Sequence, residues 1–283
     1  MMYAFLTLGH AVPEKLPHIL AGEFGLPVAD VDVSDSSELE DRNWDAAVSC
    51  EYEEIAGPLR WSLAVYASET VHRPPTEEQL SLALARGLGV PVFSDWGGGL
   101  PWIQRVALPG GGCTLARVVE SDQKEEGMVV EAAEAPIPGL PDVRVTHFPE
   151  VVRALQIATP VTDGVLLPGV TGEEHKLRGL MVNWERLIVR MGGDWPPSGW
   201  YSAAMYKEDL EYRDALNASL KGFSGDCGDA RAAVEKLDSD FRALTIGDEG
   251  RSISAVDAPG DPARSTRPWY WKRRPKKAPW VAE

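Results

Sequence analysis

The chain has 283 residues, of which 44% are hydrophobic, and its 43 acidic and 28 basic residues give a net charge of −15. This length and apolar content favour a folded protein with at least one buried core. No apolar run reaches the roughly 18 residues that a membrane-spanning helix needs, so we expect no membrane span. The first residues lack the basic segment and cleavage site of a secretory signal, and we therefore expect a cytoplasmic protein.

The first predicted elements are a strand, a helix and a hairpin. Residues 3–8 form a short apolar run typical of a buried strand, and residues 13–24 carry apolar side chains at helical spacing. Apolar and polar residues alternate over 46–54 and again over 59–67, with a Gly-Pro turn between the two segments. This pattern predicts two strands that pair as an antiparallel hairpin.

A capped helix and a second hairpin follow. Thr76 is a typical helix N-cap, and the apolar spacing after it ends at Gly89. Residues 102–108 and 113–120 flank a run of glycines and predict another antiparallel pair. Such hairpins favour an α+β fold with a mixed or antiparallel sheet and two or more helices over a doubly wound parallel sheet.

Composition shifts along the chain predict its domain organisation. We predict an acidic α+β domain over residues 1–158 and a linker over the Gly-, Pro- and Thr-rich residues 159–175. Three amphipathic segments over 176–246 predict a small three-helix bundle. Residues 247–283 are expected to form a flexible linker followed by a tail rich in tryptophan and basic residues.

No established catalytic or cofactor motif is present. The sequence contains no glycine-rich phosphate-binding motif, no nucleophile elbow and no HExxH helix. Cys50, Cys113 and Cys227 lie far apart and lack metal-ligand spacing, which argues against a disulfide framework or a zinc site. We therefore predict no cofactor and no metal ion, and we favour a non-catalytic protein over an enzyme.

Four residues form a candidate small-molecule pocket. His10 follows the first predicted strand, Asp95 and Trp96 follow a later strand, and Trp102 lies beyond three glycines. Because functional groups often gather at strand ends, these residues are the basis of an alternative function as an enzyme with a dispersed active site. The competing interpretation is that the two tryptophans only close the core and that the imidazole is structural.

The strongest surface feature is a set of acidic residues in the N-terminal domain, namely Asp35, Glu38, Glu40, Asp41, Glu51, Glu53 and Glu54. The first 150 residues carry 24 acidic and 9 basic side chains, a balance that repels phosphate backbones and attracts basic proteins. Glu51 and Glu53 alternate with apolar residues, so one strand would hold both carboxylates outward. An ordinary solvated acidic face is the alternative.

The tail interleaves aromatic and basic residues, namely Trp269, Trp271, Lys272, Arg273, Arg274 and Trp280. Such a mixture can stack on single-stranded nucleic acid or lie on anionic lipid. We favour docking within the chain, with the tryptophans on the helical bundle and the basic groups against the acidic domain. The reason is that a tethered segment meets its own chain at a high effective concentration.

Three functional hypotheses follow from these features. The favoured one is a binding protein whose acidic surface recognises a basic protein, as an inhibitor, antitoxin or immunity protein would. The second is an enzyme that uses the candidate pocket. The third is a scaffold associated with nucleic acid, which we expect to be contacted only through the tail.

Overall fold

The chain combines a large, mostly antiparallel sheet with seven helices in the part that a computed structural model describes. The described residues are 1–9, 12–38, 42–121, 127–166, 172–223, 226–253, 256 and 266–281. This mixed content confirms the predicted α+β class. The chain divides into two compact units, Met1–Phe148 and Pro149–Glu283. Within the described ranges, no helix is both long enough and apolar enough to cross a membrane.

The N-terminal unit contains one nine-stranded sheet and two helices. Its strands are β1 (Met2–Thr7), β2 (Val31–Asp35), β3 (Val48–Glu54), β4 (Trp61–Ala67), β5 (Val92–Asp95), β6 (Ile103–Ala107), β7 (Cys113–Glu120), β8 (Met128–Ala133) and β9 (Arg144–Val145). Its helices are α1 (Val12–Phe24) and α2 (Glu77–Leu88). The strand order is β2-β3-β4-β1-β5-β6-β7-β8-β9, and only the β2–β3 and β8–β9 pairs are parallel.

Helices α1 and α2 cover one face of this sheet. Leu16 and Leu20 of α1 and Leu80 and Leu84 of α2 are fully buried, and they share a core with Phe5 of β1. Burial of each such side chain contributes about 1.5–3 kcal/mol. The helical spacing of these leucines is what directs them all to the sheet.

Helix α2 begins and ends where the sequence predicts. The Thr76 hydroxyl accepts a hydrogen bond from the Gln79 backbone N–H, and the Gln79 side chain accepts one from the Thr76 backbone N–H. This reciprocal capping box satisfies two amides at the helix start. At the other end, Gly89 adopts φ 76°, a left-handed conformation that glycine reaches without strain.

The opposite face of the sheet is covered only in part by described residues. Across β5–β8 it forms a second core, in which Phe93, Val106 and Val118 pack with Ile137 from the segment after β8. Across β2, β3, β4 and β1 the side chains directed away from the helices are mostly exposed or half-buried. We call this surface the open face. Its members are Met2, Ala4, Leu6, Asp32, Ser34, Ser49, Glu51, Glu53, Ser62, Ala64 and Tyr66.

The C-terminal unit is mainly helical. Its helices are α3 (Pro149–Ala154), α4 (Pro160–Asp163), α5 (Gly172–Gly192), α6 (Ala203–Gly222) and α7 (Gly228–Leu244). A small antiparallel pair joins β10 (Thr245–Gly247) to β11 (Arg273–Pro275). Short 3-10 turns cover Arg251–Ile253 and Trp269–Lys272. Helix α4 and the start of α5 lie inside the segment 159–175, which the sequence predicts as a linker.

Helices α5, α6 and α7 share one hydrophobic core with part of the tail. Trp184 of α5, Tyr206 of α6 and Phe241 of α7 are fully buried, and Tyr270 and Trp271 of the tail lie in the same cluster. The Trp184 and Phe241 rings are 4.6 Å apart between centroids. Aromatic side chains therefore supply much of the apolar area that this unit buries.

Candidate functional site

The open face places side chains of four strands in regular rows. Strand register aligns Ala4, Ala64, Glu51 and Ser34 across the sheet. The alanine and serine side chains are small, so the Glu51 side chain extends further from the sheet than its neighbours in this row. Glu53 lies two residues further along β3 on the same face.

The predicted acidic residues do not form one continuous patch. Glu51 and Glu53 are exposed on the open face. Asp35 and Glu38 lie near Tyr52, on the side of the sheet that carries α1 and α2. Burial first, then the negative charges of Asp35 and Glu38, raise the pKa of Tyr52.

The remaining members of the predicted acidic set have different surroundings. Glu54 is exposed and forms an ion pair with Arg60 at 2.5 Å. Hydrogen bonds from the Ser37 hydroxyl and backbone lower the pKa of Asp35. Glu40 and Asp41 lie outside the described residues. Of the five acidic residues of this set that the structure describes, Glu51 and Glu53 are those exposed on the open face.

Arg42 holds two carboxylates of the open face together. Its Nη1 lies 2.5 Å from Oε1 of Glu51, and its Nε lies 3.5 Å from Oδ2 of Asp32. A hydrogen bond to Glu51 is the first cause that raises the pKa of Arg42. Asp32 is buried and also accepts hydrogen bonds from the Ser34 hydroxyl and the Asn43 backbone.

Trp44 is exposed and lies next to Arg42. Its indole is 71% exposed, and the Arg42 guanidinium lies 4.7 Å from the ring centroid. Because Arg42 neutralises one of the two carboxylates that it contacts, the pair Asp32 and Glu51 retains a net negative charge. Glu53 adds a further exposed carboxylate. Sequence reasoning missed Arg42, Asp32 and Trp44, because nothing local marks a single arginine as the partner of a neighbouring strand.

A cleft of about 580 Å³ adjoins the open face where β1 and β5 diverge. Strand β1 pairs with β4 along its whole length, but with β5 only through Leu6 with Phe93 and Thr7 with Val92. Lining residues come from both faces of the sheet and from the start of α2. Its polar members include Ser62, Glu77, Ser94, Asp95 and Gln104, and its apolar members include Leu6 and Leu100.

Several polar groups of the cleft have unusual environments. Ser94 is 2% exposed, and neither its Oγ nor the buried Oε1 of Gln104 has a hydrogen-bond partner among the described residues. The Glu77 carboxylate accepts a hydrogen bond from the Asp95 backbone N–H. Burial first, and then the negative charge of Asp95, raise the pKa of Glu77. One oxygen of Asp95 accepts the backbone N–H of Gly97 at 3.0 Å.

The residues predicted for a pocket are only partly brought together. Asp95 lines the cleft, whereas Trp96 and Trp102 are absent from the cleft residues that the structure describes, and Trp102 is exposed. His10 lies outside the described residues. The sequence did not point to Glu77, Ser94 or Gln104, because β1 and β5 must pair before these side chains meet.

The aromatic part of the tail is held by the helices of the C-terminal unit. Asp214 of α6 accepts hydrogen bonds from the Tyr270 hydroxyl and, at 3.0 Å, from the Trp271 indole. Trp269 packs edge-on against Phe241 of α7. Buried Trp271 is therefore unavailable for stacking on a base.

The basic part of the tail and its last tryptophan also contact this unit. Arg273 donates hydrogen bonds to the side chain and the carbonyl of Thr245, and Lys277 pairs with Asp194 at 3.4 Å. The Trp280 ring lies 5.1 Å from that of Tyr206. The other two tail residues that the sequence analysis names, Lys272 and Arg274, take part in hydrogen bonds to the backbone. The Lys272 carbonyl accepts hydrogen bonds from two backbone N–H groups, and Arg274 donates to the carbonyl of its neighbour.

Buried ion pairs in the C-terminal unit have a structural role. Arg153 of α3 binds Asp209 of α6 at 2.7 Å, and the Tyr201 hydroxyl donates a hydrogen bond to the same carboxylate. Arg213 similarly binds Asp238 at 2.8 Å, which joins α6 to α7. These charges are mutually satisfied, so they fix helix positions rather than offer groups to a ligand.

Comparisons with protein-family models, with curated proteins and with solved structures found no match to this chain. Among the described residues, no three His, Cys, Asp or Glu side chains gather as the ligands of a metal ion would.

Proposed function

We propose that this chain is a non-catalytic, cytoplasmic binding protein that recognises a basic protein through the open face, in the manner of an inhibitor, antitoxin or immunity protein. The observation that carries the proposal is the position of Glu51 and Glu53. Both are exposed on one face of β3, an internal strand next to the edge strand β2, at a part of the sheet over which no described helix lies.

Rigid presentation is what makes this charge useful for recognition. Strand β3 pairs with β2 on one side and with β4 on the other, so its backbone loses little further freedom on binding. Fixed negative potential accelerates the encounter with a positive surface and disfavours acidic partners. The exposed rings of Trp44 and Tyr66 at the same surface offer apolar contact area of the kind that interfaces use.

The test is to reverse the charge of the acidic pair. Co-purification from the source cells should recover a basic protein, and Glu51→Lys with Glu53→Lys should slow its association about tenfold at low salt. The matched control is Glu14→Lys with Glu23→Lys, which makes the same net change at exposed positions of α1. Association rates are measured at two salt concentrations by a surface-based binding assay. Association rates that change neither with the Glu51 and Glu53 substitutions nor with the salt concentration would contradict the proposal.

For the C-terminal unit we propose a three-helix bundle closed by its own tail. The shared core of α5, α6 and α7 supports this arrangement, as do the bonds from Asp214 to Tyr270 and Trp271. In this proposal the tail is a structural element, and the nucleic-acid scaffold becomes the less favoured alternative because the stacking surface of Trp271 is occupied.

A further inference from the structure

We propose that the cleft between β1 and β5 binds an alkylammonium or alkylguanidinium group. The sheet leaves room for such a group, because β1 continues along β4 while only two of its residues pair with β5. The cleft has a volume of about 580 Å³, which is large enough for a small organic cation. This inference does not depend on the acidic pair of the open face, since neither Glu51 nor Glu53 lines the cleft.

Buried polar atoms without partners indicate that the cleft is built for a ligand. The Oγ of Ser94 and the Oε1 of Gln104 are both buried in the wall of the cleft, and no described residue hydrogen-bonds to either atom. Leaving such an atom unsatisfied is unfavourable. Most buried polar atoms in proteins have a hydrogen-bond partner in protein, water or ligand. Strand alternation directs Ser94 to the helix-covered face of the sheet and Gln104 to the opposite face, so the two atoms mark the two sides of the cleft. A ligand with N–H donors would satisfy the atom on the side that it enters.

The charge of the cleft selects a cation. Glu77 and Asp95 contribute two carboxylates to its wall. The neighbouring cation, Arg105, pairs with Glu78 at 3.7 Å and does not line the cleft. Its charge also acts on Glu77, but one arginine shared among three carboxylates leaves the surroundings of the cleft negative. An anionic ligand would be repelled, whereas an ammonium or guanidinium group would be attracted by both carboxylates and could donate to the unpartnered Ser94 hydroxyl on the side that carries Glu77.

The apolar walls account for an alkyl chain on that cation. Leu6, Phe93 and Leu100 line the cleft beside the polar groups. They would contact the methylene groups of an aliphatic amine, while its charged end reaches the carboxylates. The same chemistry is found in a free aliphatic amine and in the lysine or arginine side chain of a partner protein.

The first experiment uses butylammonium and butylguanidinium chloride with the full chain, and 1-butanol as the neutral control. We expect saturation-transfer NMR to detect both cations, with a dissociation constant on the order of 1 mM, and to detect the alcohol much more weakly. Equal signals for the cations and the alcohol, or no signal for either cation, would overturn the proposal.

Charge-removing variants locate the site. Glu77→Gln with Asp95→Asn should weaken cation binding at least about tenfold. The control, Glu51→Gln with Glu53→Gln, removes the same charge from the open face and should leave cation affinity unchanged. If the control loses affinity and the cleft variant keeps it, the cleft proposal is wrong. If both pairs behave as expected but no basic protein associates with the chain, only the proposed function fails.

Ser94→Ala separates a binding role from a structural one. Because the free hydroxyl has no partner among the described residues, its removal should leave the melting temperature of the free chain unchanged or raise it. The same change should weaken butylammonium binding severalfold. A lower melting temperature with unchanged affinity would show that Ser94 serves the fold and would remove it from the proposed site.

Blocked amino acids distinguish the two sources of the cation. Nα-acetyl-lysine methylamide and Nα-acetyl-arginine methylamide carry the same charged groups next to a peptide backbone. Tighter binding of these compounds than of the simple amines assigns the cleft to a partner's side chain. Weaker binding assigns it to a free aliphatic amine, and binding of none of the four cations overturns the proposal.

Discussion

Arg42 determines the charge balance at one corner of the open face. It bonds to Glu51 and lies beside the buried Asp32, and its side chain is only 7% exposed. An exposed ion pair contributes little to stability, but a cation that compensates a buried carboxylate contributes more, because its loss leaves that charge desolvated and incompletely paired. The remaining partners of Asp32, the Ser34 hydroxyl and the Asn43 N–H, are neutral donors.

Arg42→Gln should therefore destabilise the chain by about 1–2 kcal/mol. Equilibrium denaturation with urea, followed by far-UV circular dichroism, measures the change in the free energy of unfolding. Arg60→Gln serves as the control because it breaks the more exposed pair with Glu54, and it should change the free energy by less than about 0.5 kcal/mol. Equal changes in the free energy of unfolding for the two substitutions would show that Arg42 does not stabilise the chain by compensating the buried Asp32 carboxylate.

At the scale of elements, the start of α2 is the clearest case in which local sequence determines local structure. Its capping box satisfies two backbone amides within four residues, without help from the rest of the fold. Thr76→Ala should lower the free energy of unfolding by about 1 kcal/mol, while Thr76→Ser should largely preserve it. Urea denaturation of the two variants tests this. An alanine variant as stable as the parent would mean that packing alone fixes the helix start.

The sequence predicts the pairing of strands that are neighbours in the chain, but not the pairing of strands that are far apart in it. The β3–β4 and β6–β7 hairpins need only short turns, and their alternating patterns are legible in the sequence. The placement of β1 between β4 and β5 joins Leu6 to Phe93, and no local pattern specifies such a distant pairing. The cleft exists only because of that pairing. The sequence therefore predicts Asp95 as a polar residue at the end of a strand. It does not predict that Asp95 lies near Glu77 and Ser94.

At the scale of the whole molecule, each unit has a hydrophobic core of its own. Trp271 contributes to the core of the C-terminal unit, with 4% of its surface exposed and its indole bonded to Asp214. The tail is thus held by burial as well as by charge. The sequence predicts that the tail tryptophans dock within the chain, but no local pattern specifies which ring is buried most deeply.

Trp271→Ala should destabilise the C-terminal unit by about 3–5 kcal/mol. Hydrogen exchange with mass spectrometry should show faster exchange in residues 149–283 and little change in residues 1–148. Trp44→Ala is the matched control, since that indole is 71% exposed and its loss should be nearly neutral. Retained protection throughout 149–283 would rule out a structural role for the docked ring.

The two edge strands of the large sheet, β2 and β9, determine how readily a second molecule could extend the sheet. Strand β9 has only two residues, Arg144 and Val145, and strand β2 carries Asp32 and Asp35 within five residues. A second molecule that paired with β9 would gain few backbone hydrogen bonds, and one that paired with β2 would approach the carboxylate of Asp35. Fibril growth from either border is therefore disfavoured.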